Sequence, residues 1–154
     1  MKNTFKRSGA ALISLVLLLV LAVSAGAASS QNVGVKFWKE KSDKESMANS
    51  GIDPDRTATL TRQANGTYTL TLPVMQVSKL GVTGYLSGLT IGDVTYDGTL
   101  TGDFNKATAV LTIKNLPASV LTGSDVNKSV LVTCNIQMDL QVLGEINTSA
   151  RMCI

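Results

Sequence analysis

No histidine occurs among the 154 residues. The commonest general base and nitrogen ligand for a metal is therefore lacking. The remaining side chains able to hold a ligand are Cys134 and Cys153, Tyr68, Tyr85 and Tyr96, and five methionines. Asp53-Pro54-Asp55 offers two carboxylates to a hard cation, but a loop site for Ca²⁺ needs several more oxygens in rhythm and none follow. That tripeptide reads as a turn. The glycines between 81 and 92 lack the Lys-Ser/Thr of a phosphate loop and open no helix. These side chains and spacings point to binding, without enzymatic chemistry.

The elements that position these residues begin after the first 27. Lys2, Lys6 and Arg7 precede an apolar run over 10–23, and Ala25-Gly26-Ala27 offers small residues for cleavage. This is the physical pattern of a secretory signal. The apolar run is shorter than the ~20 residues that span a bilayer. We expect a signal peptide at 1–27, a single domain at 28–154, and no membrane span after cleavage. The segment Leu116-Pro117-Ala118-Ser119-Val120 lacks the Thr-Gly of a sortase signal, so a released chain is expected. Of the 14 Lys+Arg, three lie in the signal, which leaves 11 against 11 Asp+Glu. A mature chain of zero net charge with scattered cations has no basic face for nucleic acid.

From residue 56 onward Thr, Val, Leu and Ile dominate, with Gly and Asn as punctuation. Those types suit a pleated, half-buried surface, and no sustained helical stripe appears. Val33, Val35 and Phe37 alternate as a first strand, and 39–50 is a polar loop or a short helical turn. Ala58 and Leu60, then Tyr68, Leu70, Leu72 and Val74, alternate against threonines. Asn65-Gly66 between them tolerates positive φ and marks a hairpin. Further strands fall at 86–91, 94–100 and 108–113, and Pro117 ends the last of these. The expected fold is an all-β, immunoglobulin-like antiparallel β-sandwich of seven or eight strands.

The final hairpin carries the longest alternation. Val130, Val132, Cys134, Ile136, Met138, Leu140 and Val142 form one apolar row. Thr133, Asn135, Gln137, Asp139 and Gln141 form a wet one. Ile146, Thr148, Ala150, Met152 and Ile154 alternate against Asn147, Ser149, Arg151 and Cys153. A three-residue turn, Leu143-Gly144-Glu145, would set Val142 opposite Ile146, Met138 opposite Ala150 and Ile136 opposite Met152. An even cysteine count in a secreted chain raises a disulfide. This register puts Cys134 on the core face and Cys153 on the wet face. A Cys134–Cys153 bridge is thereby disfavoured, because it needs Cβ atoms about 4 Å apart and facing.

One local series stands out. Ser46-Met47-Ala48-Asn49 is followed by Thr57-Ala58-Thr59-Leu60 and then by Asn65-Gly66-Thr67-Tyr68-Thr69-Leu70-Thr71-Leu72. In order and spacing over 33–72 this resembles the front half of a NEAT (near-iron transporter) domain, a haem- and haemoprotein-binding module of the Gram-positive surface. The resemblance implies that Ser46 meets a haem propionate and that Met47 lies over the porphyrin face; the polar turn itself adds Lys41 and Lys44 as cations at the mouth. The family's Tyr-x-x-x-Tyr of the final hairpin has no counterpart here, since no tyrosine follows Tyr96. Other groups would then hold the iron. Thioether sulfur is a known haem ligand type, which makes Met47, Met138 and Met152 candidates for the metal. The function implied is a secreted module for haem or haemoprotein binding in bacterial iron acquisition at the cell surface. The alternative is a secreted β-sandwich with a protein-binding, adhesion or envelope-structural role and no haem.

Overall fold

The computed structural model describes residues 28–79, 81–139 and 144–154. The expected signal at 1–27 lies outside them, as do Leu140 and Val142 of the apolar row. Among the described residues no helix is long and apolar enough to cross a membrane.

The described residues form ten strands, all paired antiparallel: β1 (Ser30–Val33), β2 (Lys36–Lys39), β3 (Ala58–Arg62), β4 (Tyr68–Pro73), β5 (Val77–Lys79), β6 (Val82–Ile91), β7 (Val94–Thr101), β8 (Val110–Leu116), β9 (Val130–Met138) and β10 (Glu145–Cys153). Hydrogen bonding runs in the order β1-β3-β4-β8-β7-β6-β9-β10-β2, with β5 on β6. The sheet folds over at β7. Its first half, through Asp97, pairs with β6, and its second half, from Gly98, pairs with β8. β1, β3, β4 and β8 thus make one layer and β6, β9, β10 and β2 the other. Between them lie Phe37, Leu60, Leu70, Leu72, Leu89, Leu111, Ile113, Val132 and Met152, all essentially without solvent contact. Each such side chain contributes roughly 1.5–3 kcal/mol by leaving water. The all-β antiparallel sandwich expected from alternation is the fold observed.

Two strands exceed the eight traced in the sequence. The first strand divides at Gly34-Val35, because β1 joins β3 in one layer and β2 joins β10 in the other. β5 is only three residues long, too short to show a period, and exists because β6 begins earlier than its apolar run suggests.

The last hairpin keeps its expected faces but not its register. Ile146 stands opposite Ile136, Ala150 opposite Val132, and Met152 opposite Val130. Glu145, expected in the turn, is already paired with Gln137, and the Met138 N–H donates to Gly144 O at 3.1 Å. Ile146 was expected opposite Val142, so the slip is six residues. An even slip leaves every side chain on its own face. Pairing with β6 fixes the choice: Gly84, Leu86 and Leu89 take Met138, Ile136 and Cys134 as partners, and the Asp139 N–H continues to Thr83 O.

Two residues assigned to the wet rows are buried. Asn135 is 4% exposed. A bulge between Leu86 and Gly88 sets two residues of β6 against one of β9 and folds side chains over it. Ser87 Oγ donates to Asn135 O at 3.0 Å and Thr90 Oγ1 to Asn135 Oδ1 at 3.3 Å. Cys153 is 3% exposed. The connection from β8 to β9 covers it, with Gly123 N–H donating to Ile154 O at 2.8 Å and Cys153 Sγ lying 3.6 Å from Asp125 O.

Candidate functional site

The face of β6, β9 and β10 that builds the core also runs past it. Deep in the sandwich this face presents Leu89, Val132, Ala150 and Met152. Farther along the same rows come Leu86 beside Ile136, Gly84 beside Met138, and Ile146 and Thr148 on β10. There a 3₁₀ turn at Met47–Gly51 stands over the sheet instead of the opposite layer, and Val77 of β5, paired with Gly84, flanks it within the sheet. The space between is a groove of about 280 Å³ bordered by Met47, Ala48, Val77, Leu86, Ile136, Met138 and Ile146, among others.

The turn is held by two polar residues of the Ser46-Met47-Ala48-Asn49 segment. Ser46 caps it, with Oγ accepting from Ala48 N–H at 3.3 Å, the usual service of Ser ahead of a helical turn. Asn49 does more. β2 is an edge strand, so the N–H and C=O of Phe37 face away from the sheet. The Asn49 carboxamide takes both: Oδ1 accepts from Phe37 N–H at 2.8 Å and Nδ2 donates to Phe37 O at 2.8 Å. It acts as a one-residue substitute for a neighbouring strand. Downstream, Met75 N–H donates to Gly51 O at 2.9 Å and ties the turn's end to the strand leaving β4.

Among the described side chains none that borders the groove is charged, and the polar ones are those of Tyr85 and Thr148. Tyr85 pairs with Gln137, on the alternate row from Gly84 and Leu86, and its ring packs on Phe104 at 5.3 Å between centroids. Two wider hollows, of about 540 and 420 Å³, both border Asp53 and Arg56. Those charges are committed to structure: Arg56 Nη1 donates to Ala107 O and Ala109 O, and Asp53 Oδ1 accepts from Asp55 N–H. Asp53-Pro54-Asp55 is the turn its composition indicates. Among the described residues no group of three or more Cys, Asp or Glu is placed to hold a metal.

Of the residues singled out from sequence, Met47 and Met138 both border the groove, Met47 from the turn and Met138 from β9. Met152 does not; it lies in the core. Ser46 directly precedes the lid but is 7% exposed and is not part of the lining. Lys44 stands away from the lining as well. Its loop is folded back on the β2 edge: Lys39 N–H donates to Lys44 O at 2.8 Å, and Arg151 reaches Ser42 O and Asp43 Oδ1 at 2.9 and 2.7 Å. Glu45 is paired with Lys36 at 2.5 Å, and that ammonium sits 4.6 Å above the Trp38 ring. Ile146, Val77 and Gly84 were not singled out. The alternation showed Ile146 to be apolar and inward, but only the true register reveals that it lies beyond the core.

The cysteines are free thiols, both buried. Cys134 faces Thr148 while Cys153 faces Lys36, five residues farther along β10, roughly 17 Å at strand rise. Burial pushes the Cys134 thiol from its ordinary 9.0 up to about 12. In the unfolded chain it ionises from about pH 9 while the folded chain keeps its proton. This contribution is complete below pH 9 and falls by about 1.4 kcal/mol per pH unit until pH 12. Denaturant midpoints at pH 8 and pH 10 should therefore differ more in the wild type than in Cys134→Ala. An equal loss in both would remove Cys134 as a source.

No family model matches this sequence, and no curated protein matches it. Solved structures do. The NEAT5 domain of IsdX2, a haemophore of B. anthracis in complex with haem, superposes with a TM-score of 0.51 at 12% identity, covering 82% of this chain and 95% of its own. A single-substitution variant of that domain, also with haem, gives the same TM-score and identity over 83% and 95%. At this identity the likeness is one of fold: the chain has a NEAT-like, immunoglobulin-like sandwich.

Proposed function

We propose that this chain is a secreted, NEAT-like binding module that takes haem in the groove between the Met47–Gly51 turn and the β9–β10 hairpin, in bacterial iron acquisition at the cell surface. The observation that carries the reading is the groove itself, a slot between a capped turn and a hairpin whose described lining is apolar and uncharged. The fold likeness to haem-bound domains adds support. The residues present fit the group. Apolar walls suit the faces of a porphyrin, and Gly84 makes room for Met138. A Cβ at Gly84 would come within 2.8 Å of Met138 Sδ, so glycine there lets Met138 lie flat on the floor. The volume, just below the usual range for ligand pockets, takes part of a macrocycle and leaves its carboxylate edge toward the turn. Ser46, at the start of that turn, whose oxygen accepts from Ala48 N–H and whose proton is left to donate, would meet that edge. The role is binding, without catalysis.

Titration of the purified protein with haemin, followed by absorbance, tests this. Binding is expected, without the spectrum of tyrosine ligation. Ile146→Asp puts a carboxylate on a wall that is already 43% exposed, so the fold should survive while affinity falls at least tenfold. Absence of haemin binding by the wild type would end the reading. A docking role toward a haemoprotein rests on the exposed rim of Met47 and Ile146, and capture of haemoglobin on immobilised protein separates it from binding of free haem.

A further inference from the structure

We infer that Met138 and Met47 make the groove a soft-donor site, which grips the metal of a tetrapyrrole through thioether sulfur and so favours ferrous over ferric iron. The inference rests on the proposed function and deepens it. Its first support is the donor set. Around the groove there is no carboxylate and no imidazole. The one phenol, Tyr85, has its ring engaged with Phe104. Cys134 shares the groove's face one residue pair deeper, but it is fully buried and holds its proton far above neutral pH. The groove therefore offers no anionic ligand. What it offers is sulfur from two separate elements, Met47 on the turn and Met138 on β9.

The second support is placement. Met138 Sδ lies against the β6 backbone, in the space that a side chain at position 84 would fill. The sulfur is thus positioned by packing, on the floor where a flat ligand's face would rest. Met47, 60% exposed, can adapt its three torsions to a ligand laid on that floor.

The preference follows from charge. A thioether is neutral and soft, and it favours the softer, lower-charged metal ion. An anionic oxygen donor would offset the extra positive charge of ferric iron; a neutral sulfur does not. The apolar walls add to this, because an uncompensated charge is costly in a site without polar partners. A tenfold preference for the ferrous form corresponds to a one-electron potential raised by about 59 mV.

The experiment uses the wild type, Met138→Leu, Met47→Leu and the double variant. Each is titrated with haemin in air, with haem kept reduced by dithionite, and with iron-free protoporphyrin IX. Leucine replaces methionine at nearly constant volume, and a melting curve for each variant confirms that it folds. Ferrous haem should bind the wild type about tenfold more tightly than ferric haem. The Met138→Leu substitution should erase that ratio and shift the Soret band, while iron-free porphyrin binds all four proteins alike. Equal affinity for the two oxidation states, or a ratio that survives in the double variant, overturns the inference and leaves the groove as a plain porphyrin site. Failure of every tetrapyrrole to bind overturns both the inference and the reading beneath it.

Discussion

Asn49→Ala should lower stability by about 3–5 kcal/mol and abolish ligand binding in the groove, although Asn49 borders neither the groove nor the core. Its carboxamide is the partner of both polar groups of Phe37. Truncation removes two hydrogen bonds, each with a net value of about 1 kcal/mol, and leaves the Phe37 N–H without its acceptor at a further cost of about 1–3 kcal/mol. Phe37 itself is fully buried, so this loss is felt where water enters poorly. The turn carrying Met47 and Ala48 then keeps its ties at the two ends, where Ser46 N–H donates to Phe37 O and Met75 N–H to Gly51 O, both at 2.9 Å, but loses the one at its middle. Asn49→Asp is the sharper control. It keeps the acceptor but sets a carboxylate oxygen against Phe37 O, and it should be at least as harmful. A melting temperature within 2 °C of wild type for both variants, where roughly 10 °C is expected, would show that the turn is held by something else.

Gly98→Val should be the most damaging single change in the sheet. At Gly98 β7 leaves β6 and joins β8, so both layers crowd this backbone. A Cβ there would strike the end of the Leu111 side chain and would lie 2.7 Å from Ser87 O. Leu111 is buried and cannot swing clear, and Ser87 O is main chain. Overpacking of this kind costs about 1–3 kcal/mol for a small intrusion, and a branched side chain at a fold corner should exceed that. Gly34→Ala is the contrast. Gly34 also lies where the chain changes layers, but a Cβ there meets nothing within 4 Å. Alanine should be neutral or slightly stabilising, by up to about 1 kcal/mol, through the unfolded state. Urea midpoints of the two variants that coincide would mean that the corner at Gly98 is not tight.

Several elements were legible from residues alone because their causes are local. Asn65-Gly66 and Gly92-Asp93 close hairpins, with Gly66 and Gly92 at φ of +83° and +59°. Pro117 ends β8 one residue on. Ser46 caps the polar turn it was placed in. The 33–72 resemblance anticipated the fold seen in the solved structures, and the apolar row of β9 was assigned to its proper face. All of these depend on φ preferences, caps or period-2 alternation, which act between residues near in sequence.

Only tertiary pairing decided the rest. Alternation fixes which face a side chain takes but not how far along the sheet it lies, so a six-residue slip in the last hairpin was invisible from the pattern. That slip moves Met138 and Ile146 from expected core to groove wall. Asn135 looked wet because its own strand says so; the bulge in β6 that covers it belongs to a segment about 48 residues away. The first strand divides because β3 and β10 claim its halves from opposite layers. Lys44 seemed free to guard a mouth until Arg151, distant in sequence, drew its loop back to β2. The sequence by itself determined a sandwich of alternating strands with a capped polar turn at one end. The tertiary structure alone decided that the apolar face continues past the core beneath that turn, because a groove is set by where two layers stop overlapping.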